Sequence, residues 1–451
     1  MGVFKSYDLR GVWNREWDAG LARRIGWQLP GLLGAKDILI GRDARESSPE
    51  VFEALSRGIL EAGCDVTDLG LATTPSVYFA TAFYGYGGSV MITASHNPPE
   101  YNGLKISRAQ AVPVGYDSGL EELERRSGEP VRPAAARGRL KSLDIRSDYL
   151  RHLEPYRAQV RGIRAVVDCS DGMASLYIHD LARGMEAELS TMYDQPDGRF
   201  PHHPPNPLVE ENLKDLKART LQERAQAGIC FDGDGDRVMF IDEQGRFVSP
   251  DLIIGLLGLA FFRPGQPDHR GEVVSYDVRT SRGVVEYLRE LGAEPVMCPV
   301  GHSFAKRLLR ERNGLFGGEL AGHYYFRDHY FCDSGLMAAL LVLGILSRER
   351  RPLSELIAAI RRYHGSGEIN FRVREADRII AGVRESYREG ERSELDGLRV
   401  DFPSWWFNLR KSNTEPLLRL VLEASTAQEL ARRTAELKET IRAIDPSTSE
   451  V

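Results

Sequence analysis

No stretch of this chain is apolar for long enough to cross a bilayer. The longest run, around Leu252–Phe262, falls well short of the roughly 20 residues a spanning helix needs. There is no basic excess either. Lys and Arg total 59 against 65 Asp and Glu, a net charge of −6, which argues against a general nucleic-acid binder but leaves room for a local basic pocket. Paired cysteines are missing. Cys64, Cys169, Cys230, Cys298 and Cys332 stand singly with no Cys-x-x-Cys, so reduced thiols in a cytosolic protein are expected, not a disulfide frame or a zinc site. The N-terminus lacks an apolar signal core, because Lys5, Asp8 and Arg10 interrupt it. Met1–Ser6 does fit a loose N-myristoylation pattern. That segment runs straight into Tyr7-Asp8-Leu9-Arg10-Gly11, which has a better use below, so the match is read as coincidence.

What is present is a folded composition. Hydrophobic residues make up 42% and charged residues 27%, which excludes a disordered chain. At roughly 100–200 residues per domain, 451 residues predict three or four domains. Short apolar runs alternate with amphipathic stretches. Strands are expected at Asp37–Gly41, Asp65–Leu69 and Ser89–Thr93. A helix between the first two spans Ser48–Ala62, capped by Ser48 with Pro49 at its first position, and another starts near Pro75. This is βαβ punctuation. The rhythm recurs with strands Arg164–Asp168, Glu188–Tyr193 and Gly228–Phe231, around helices from Met173 and Glu211. It recurs again with Glu272–Val278, Glu294–Pro299 and Leu315–Gly318, which points to three related α/β units. The tail differs. Strands at Glu368–Val373, Leu398–Phe402, Trp406–Leu409 and Leu417–Glu423, with a helix near Ala427–Ile444, predict an α+β domain. Ser127–Arg137 suits a surface loop, and Pro30 is expected to kink or end its helix.

Four segments carry chemistry. Thr93-Ala94-Ser95-His96-Asn97-Pro98-Pro99-Glu100-Tyr101-Asn102-Gly103-Leu104-Lys105 follows a strand and reads as a shaped loop, where open α/β sheets bind ligands. Its Ser95 could be a nucleophile or phosphate carrier, or simply bond its own backbone. A Ser–His hydrolase fits poorly, since no Gly-x-Ser-x-Gly elbow is present. Asp232-Gly233-Asp234-Gly235-Asp236-Arg237 sets three carboxylates two residues apart on a tight turn. They repel unless a cation lies among them, and oxygen-only ligands suit Mg²⁺. An EF-hand would need glycine where Arg237 stands, and the flanks Val238–Asp242 and Arg246–Ser249 read as a hairpin around Gly245. A solvated acidic turn is the plainer alternative. Gly317-Gly318-Glu319-Leu320-Ala321-Gly322-His323 could offer a hydroxyl acceptor and an acid/base group to one ligand. Arg410-Lys411-Ser412-Asn413-Thr414-Glu415-Pro416 could cradle a phosphate, or be a surface turn.

Together, and in this order, the four motifs resemble those of the α-D-phosphohexomutases, most nearly the bacterial phosphomannomutase/phosphoglucomutase branch, from Tyr7 to about Glu423. Asn413, with Pro98-Pro99 and Tyr101-Asn102-Gly103, is more like that branch than the glucosamine branch, which remains the alternative beside a non-catalytic sugar-phosphate sensor and a metal-dependent phosphatase. The resemblance implies three related mixed-sheet α/β domains (1–146, 147–249, 250–365) and a C-terminal α+β domain (366–451) around a central cleft. It implies that Ser95 carries the phosphoryl group and binds Mg²⁺, one per chain, with Asp232, Asp234 and Asp236. Tyr7 and Arg10 would stand beside that serine, Lys105 and His323 would be acid/base candidates, and Arg237 would hold phosphate. Arg279 and His302 would line the substrate loops and Glu319 would take sugar hydroxyls. Arg410, Ser412, Asn413 and Thr414 would bind the distal phosphate. Substrates would be small hexose phosphates, with a hexose 1,6-bisphosphate as intermediate and activator, and no nucleic-acid or membrane partner. Two positions depart from the family pattern. Ala321 stands where serine is usual, and Arg279 where lysine is common. One neutral hydrogen bond, about 0.5–1.5 kcal/mol, is therefore missing from the sugar loop.

Overall fold

Four sheets follow one another along the chain in the computed structural model, which describes residues 2–263, 268–412 and 417–451. The first runs, in spatial order, Leu9–Val12, Tyr101–Arg108, Gly88–Ile92, Asp37–Arg42, Asp65–Leu71 and Leu140–Ser142. The second is Phe247–Val248, Val238–Asp242, Ala227–Phe231, Arg161–Asp168 and Glu186–Met192. The third is Glu294–Cys298, Val273–Asp277, Phe316–Gly318, Tyr324–Phe326 and Cys332–Asp333. In each, three parallel strands are joined through helices, and the last of them doubles back as an antiparallel hairpin. Those hairpins pair Gly88–Ile92 with Tyr101–Arg108, Ala227–Phe231 with Val238–Asp242, and Phe316–Gly318 with Tyr324–Phe326. The threefold rhythm in the sequence is thus one topology used three times. The fourth sheet is antiparallel throughout, from Glu391–Ser393 to Ser449–Glu450, and packs against helices Ala376–Ser386 and Ala427–Ile444.

The apolar run around Leu252 forms helix Pro250–Phe261, which is buried nearly all round, as is Gly335–Glu349. Among the described residues, no helix is long and apolar enough to cross a membrane. These two helices lie in one core that extends from Ile145 to Ile360 and takes in Leu39, Phe79 and Ala80 of the first sheet region. The C-terminal unit has a core of its own. All five cysteines are buried and unbridged. The Val238–Asp242 hairpin forms around Gly245 (φ 74°), and Glu243 binds Ser354 rather than any EF-hand site.

Three expectations are corrected. Pro30 does not end its helix, which spans Ala19–Leu33 and stops at Gly34 in the left-handed region (φ 65°), whose N–H bonds to the Pro30 carbonyl. A proline inside a helix loses its bond to the carbonyl four residues back and crowds that carbonyl, and here the helix continues for only one more turn before Gly34 ends it. Ser48 is not the cap. Ser47 occupies that position, and the Ser48 hydroxyl instead donates to Asp43 at 2.6 Å. The serine loop is also shorter than expected, because Tyr101–Arg108 is a strand and Lys105 projects from it.

Candidate active site

The three hairpin turns converge. Ser95 lies in the first, with φ 51°, a left-handed conformation rare outside glycine. Its N–H bonds to Thr93 Oγ1 at 2.9 Å, and its hydroxyl donates to Asp232 Oδ2 at 2.7 Å. Gly233 passes so close that a Cβ there would sit 2.6 Å from the Ser95 carbonyl oxygen. Beneath this turn lies Arg45, which is fully buried and was not singled out from the sequence. Its Nη2 donates to the carbonyls of Ser95 (2.9 Å) and Asn97 (2.7 Å), and its Nη1 to those of Pro98 (2.5 Å) and Tyr101 (3.0 Å). Nε donates to Asp43 at 3.0 Å. Arg10 reaches the same turn, donating to Asn97 Oδ1 at 2.8 Å and pairing with Asp8.

The second turn brings Asp232, Asp234 and Asp236 together, all buried, with an oxygen from each within 4.8 Å of the others. Burial, with Asp236 and Asp234 nearby, pushes the Asp232 carboxyl well above the usual carboxylate range. Burial works the same way on Asp234. There it is outweighed by Lys105 and by the Thr74 hydroxyl, which donates at 2.5 Å, so its pKa falls below the usual value. Lys105 Nζ lies 2.6 Å from Asp234 and also contacts Asp236. Burial opposes its charge, but the two carboxylates raise its pKa and keep it an ammonium. Oδ1 of Asp234 and Oδ1 of Asp236 are buried without a hydrogen-bond partner. Orphaned oxygens in an oxygen-only set fit a small hard divalent cation.

The third turn joins the second through backbone. Arg237 and His323 form an antiparallel bridge, and the Val238 N–H bonds to the Gly322 carbonyl at 3.2 Å. Arg237 Nε donates to His323 Nε2 at 3.1 Å, while His323 Nδ1 lies 2.6 Å from Asp333 Oδ2. With Nδ1–H donated to that carboxylate, Nε2 is the accepting nitrogen. Asp333 is itself paired with the buried Lys306 at 2.7 Å. Glu319 is buried, accepts from the Tyr325 hydroxyl and lies 4.0 Å from Arg279. Burial raises its pKa. Ala321 is half-buried in this turn. His302 stands between Tyr7 (ring centroids 5.5 Å) and His323 (5.9 Å), with both ring nitrogens buried and unpartnered. Burial, then Lys306, lowers its pKa well below the usual value, so it is neutral. The Tyr7 hydroxyl donates to the Val300 carbonyl at 2.7 Å.

A second polar cluster continues from Arg279. Asp277 braces this residue at 2.7 Å, and Glu368 links it to Arg410 of the C-terminal sheet. Ser412 closes the end of its strand through a 2.8 Å bond from its N–H to the Leu417 carbonyl. Asn413 and Thr414 lie outside the described residues. Beyond the predicted set, the sequence left Arg45, Thr74, Lys306, Asp333 and Glu368 unmarked. Arg45 and Thr74 had a local signal, each lying just past the C-terminal end of a parallel strand.

Comparison with known proteins agrees with this layout. Four family models, for phosphoglucomutase/phosphomannomutase α/β/α domains I, II and III and the C-terminal domain, match residues 1–128, 147–245, 249–363 and 368–440. A protein of Xanthomonas campestris pv. campestris described as "Phosphohexose mutases" is 40% identical, over 98% of this chain and 99% of its own. The phosphomannomutase/phosphoglucomutase of Pseudomonas aeruginosa is 34% identical, over 99% and 96%. The crystal structure of a phosphoglucomutase/phosphomannomutase family protein from Burkholderia thailandensis superposes with a TM-score of 0.89 at 31% identity, covering 99% of this chain and 98% of that one. The chain therefore belongs to the phosphoglucomutase/phosphomannomutase family and is a phosphohexomutase, an isomerase that relocates a phosphoryl group on a hexose.

Proposed function

We propose that this enzyme interconverts hexose 1-phosphate and hexose 6-phosphate, for both glucose and mannose, through a phosphoryl group carried on Ser95 Oγ and a hexose 1,6-bisphosphate intermediate. The observation that carries this proposal is the 2.7 Å contact of the Ser95 hydroxyl with Asp232 inside a buried set of three carboxylates, next to a lysine ammonium and two arginines. Phosphoryl transfer needs positioning and positive charge more than it needs covalent chemistry from the protein. Lys105, Arg10 and Arg237 supply that charge around Ser95. His323 Nε2, oriented by Asp333 and freed as Arg237 turns from it to the phosphate, takes the proton of the attacking sugar hydroxyl and returns it in the reverse direction. Glu319 and His302 hold sugar hydroxyls. Arg279, Arg410 and Ser412, with Asn413 and Thr414, hold the phosphate that is not reacting. Asp232, Asp234 and Asp236 would hold Mg²⁺, which would neutralise charge on the phosphoryl group. The bisphosphate turns over within the cleft, so that its other phosphate meets Ser95, and it also serves as activator. In this proposal units 1–146, 147–249, 250–365 and 366–451 each give one loop. Five buried thiols fit a reducing compartment such as the cytosol.

The test is a turnover assay with glucose 1-phosphate and mannose 1-phosphate, with bisphosphate present, with and without a chelator. The expected result is formation of both 6-phosphates, lost on chelation. Release of inorganic phosphate without isomer would make the enzyme a phosphatase, and full activity in chelator would remove the metal.

A further inference from the structure

The C-terminal sheet sets two like charges side by side. Arg410 and Arg419 are direct cross-strand partners between Trp405–Lys411 and Leu417–Ala424, an arrangement that destabilises a sheet unless an anion offsets it. Glu368, on the next strand, pairs with Val421 and so shares their face one step along. Its Oε1 lies 2.9 Å from Arg419. Its Oε2 lies 3.5 Å from Arg279 and 3.7 Å from Arg410, too far to hydrogen-bond either, and is buried without a hydrogen-bond partner. Arg410 is itself only 3% exposed at its side chain, and its Nε is unpartnered. One carboxylate thus sits among three guanidinium groups from two units and satisfies one of them well. A phosphate, with three oxygens and close to two charges, matches that donor set better.

We propose that Glu368 is a resident anion in this phosphate subsite, which the substrate's non-reacting phosphate must displace. This inference rests on the assignment of Arg279 and Arg410 to a phosphate, made above. Its functional consequence concerns the bisphosphate, which must let go of one site before it can present its other end. A phosphate that met these guanidinium groups without a competitor would be held too firmly for that, and a competing carboxylate lowers apparent affinity in proportion to the time it occupies the subsite.

The experiment titrates inorganic phosphate calorimetrically into the full-length wild type, Glu368→Gln, Glu368→Ala and Arg410→Met, and into Arg410→Met combined with Glu368→Gln. Both Glu368 variants are expected to bind phosphate about five- to tenfold more tightly, and the gain should vanish in the double variant. In steady state, KM for hexose 1-phosphate should fall together with kcat, because release of the intermediate slows. Unchanged or weaker phosphate binding in both Glu368 variants overturns the inference and leaves the phosphate site standing. If Arg410→Met does not reduce phosphate binding by the wild type, the site assignment itself has failed and the inference falls with it.

Discussion

Ser95 is held in a backbone conformation that costs an L-residue about 1–2 kcal/mol relative to the right-handed one. Something must pay for it, and Arg45 is placed to do so. Four carbonyls of the turn face one guanidinium, so the turn cannot relax without leaving a buried charge and several buried oxygens unsatisfied. Lysine at this position would keep the charge but offer three donors from one point in place of a planar fork. Arg45→Lys is therefore expected to slow phosphorylation of Ser95 by a hexose bisphosphate at least about tenfold, or about 1.4 kcal/mol. KM for hexose 1-phosphate should hold. Rapid-quench mass spectrometry of Ser95 reads this directly, and an unaltered rate would assign Arg45 to the fold alone. Ser95→Ala tests the nucleophile. It removes one hydroxyl bond to Asp232 and leaves the turn's carbonyl bonds intact, so thermal unfolding should change by no more than about 2 kcal/mol while isomerisation disappears. Wild-type turnover in that variant would remove Ser95 from the mechanism.

Helices Ala19–Leu33 and Ser48–Glu61 cross backbone to backbone. A Cβ on Gly58 would lie 2.0 Å from the Arg23 carbonyl oxygen, and one on Gly26 would lie 2.1 Å from that of Leu55. Gly58→Ala is expected to destabilise by about 2–3 kcal/mol through overpacking against a neighbour that cannot rotate away. It should appear as a lower urea midpoint with normal activity per folded molecule. These elements also show where sequence reasoning works. The Asp-Gly-Asp-Gly-Asp turn was legible because three carboxylates two residues apart repel one another unless a cation or solvent separates them. The strand–helix alternation was legible because apolar runs of five or so residues have few other uses. The helix details misled for local reasons. Ser47 and Ser48 both precede Pro49, and the helix carries past Pro30 for the single turn that remains before Gly34. Arg45 and Glu368 were hidden because their partners lie far along the chain: Ser95 is 50 residues from Arg45, and the arginines around Glu368 belong to two different units. Nothing local distinguishes Glu368 from a surface charge, and Arg45 showed only its place just past a strand end.

Across the whole molecule, three of the motifs sit in hairpin turns at the end of a parallel array, the fourth begins at the end of strand Trp405–Lys411, and none of the sugar-binding residues proposed above is assigned to the hydroxyl at which glucose and mannose differ. In the proposed mechanism Glu319 and His302 take hydroxyls common to both sugars, and Ala321 offers no polar side chain. The catalytic efficiencies for glucose 1-phosphate and mannose 1-phosphate should therefore lie within about two orders of magnitude, below about 3 kcal/mol of discrimination. Ala321→Ser should lower KM modestly without altering kcat. A sugar that is neither turned over nor bound would mean that some further side chain reads C2. The partition of the interior has a consequence of another kind. Residues 145–360 share one apolar core, whereas the C-terminal unit encloses its own. That unit meets the rest through polar contacts such as Arg399 to the Val278 carbonyl (2.7 Å), Arg282 to Asp401 (3.1 Å) and the Val300 N–H to Asp396 (2.9 Å). Separating it exposes little apolar surface, so it should open and close as an independent cooperative unit. In native-state hydrogen exchange, amides of Trp405–Lys411 and Leu417–Ala424 should exchange together at a lower free energy than those of Pro250–Phe261 and Gly335–Glu349, and a hexose bisphosphate should raise the first group toward the second.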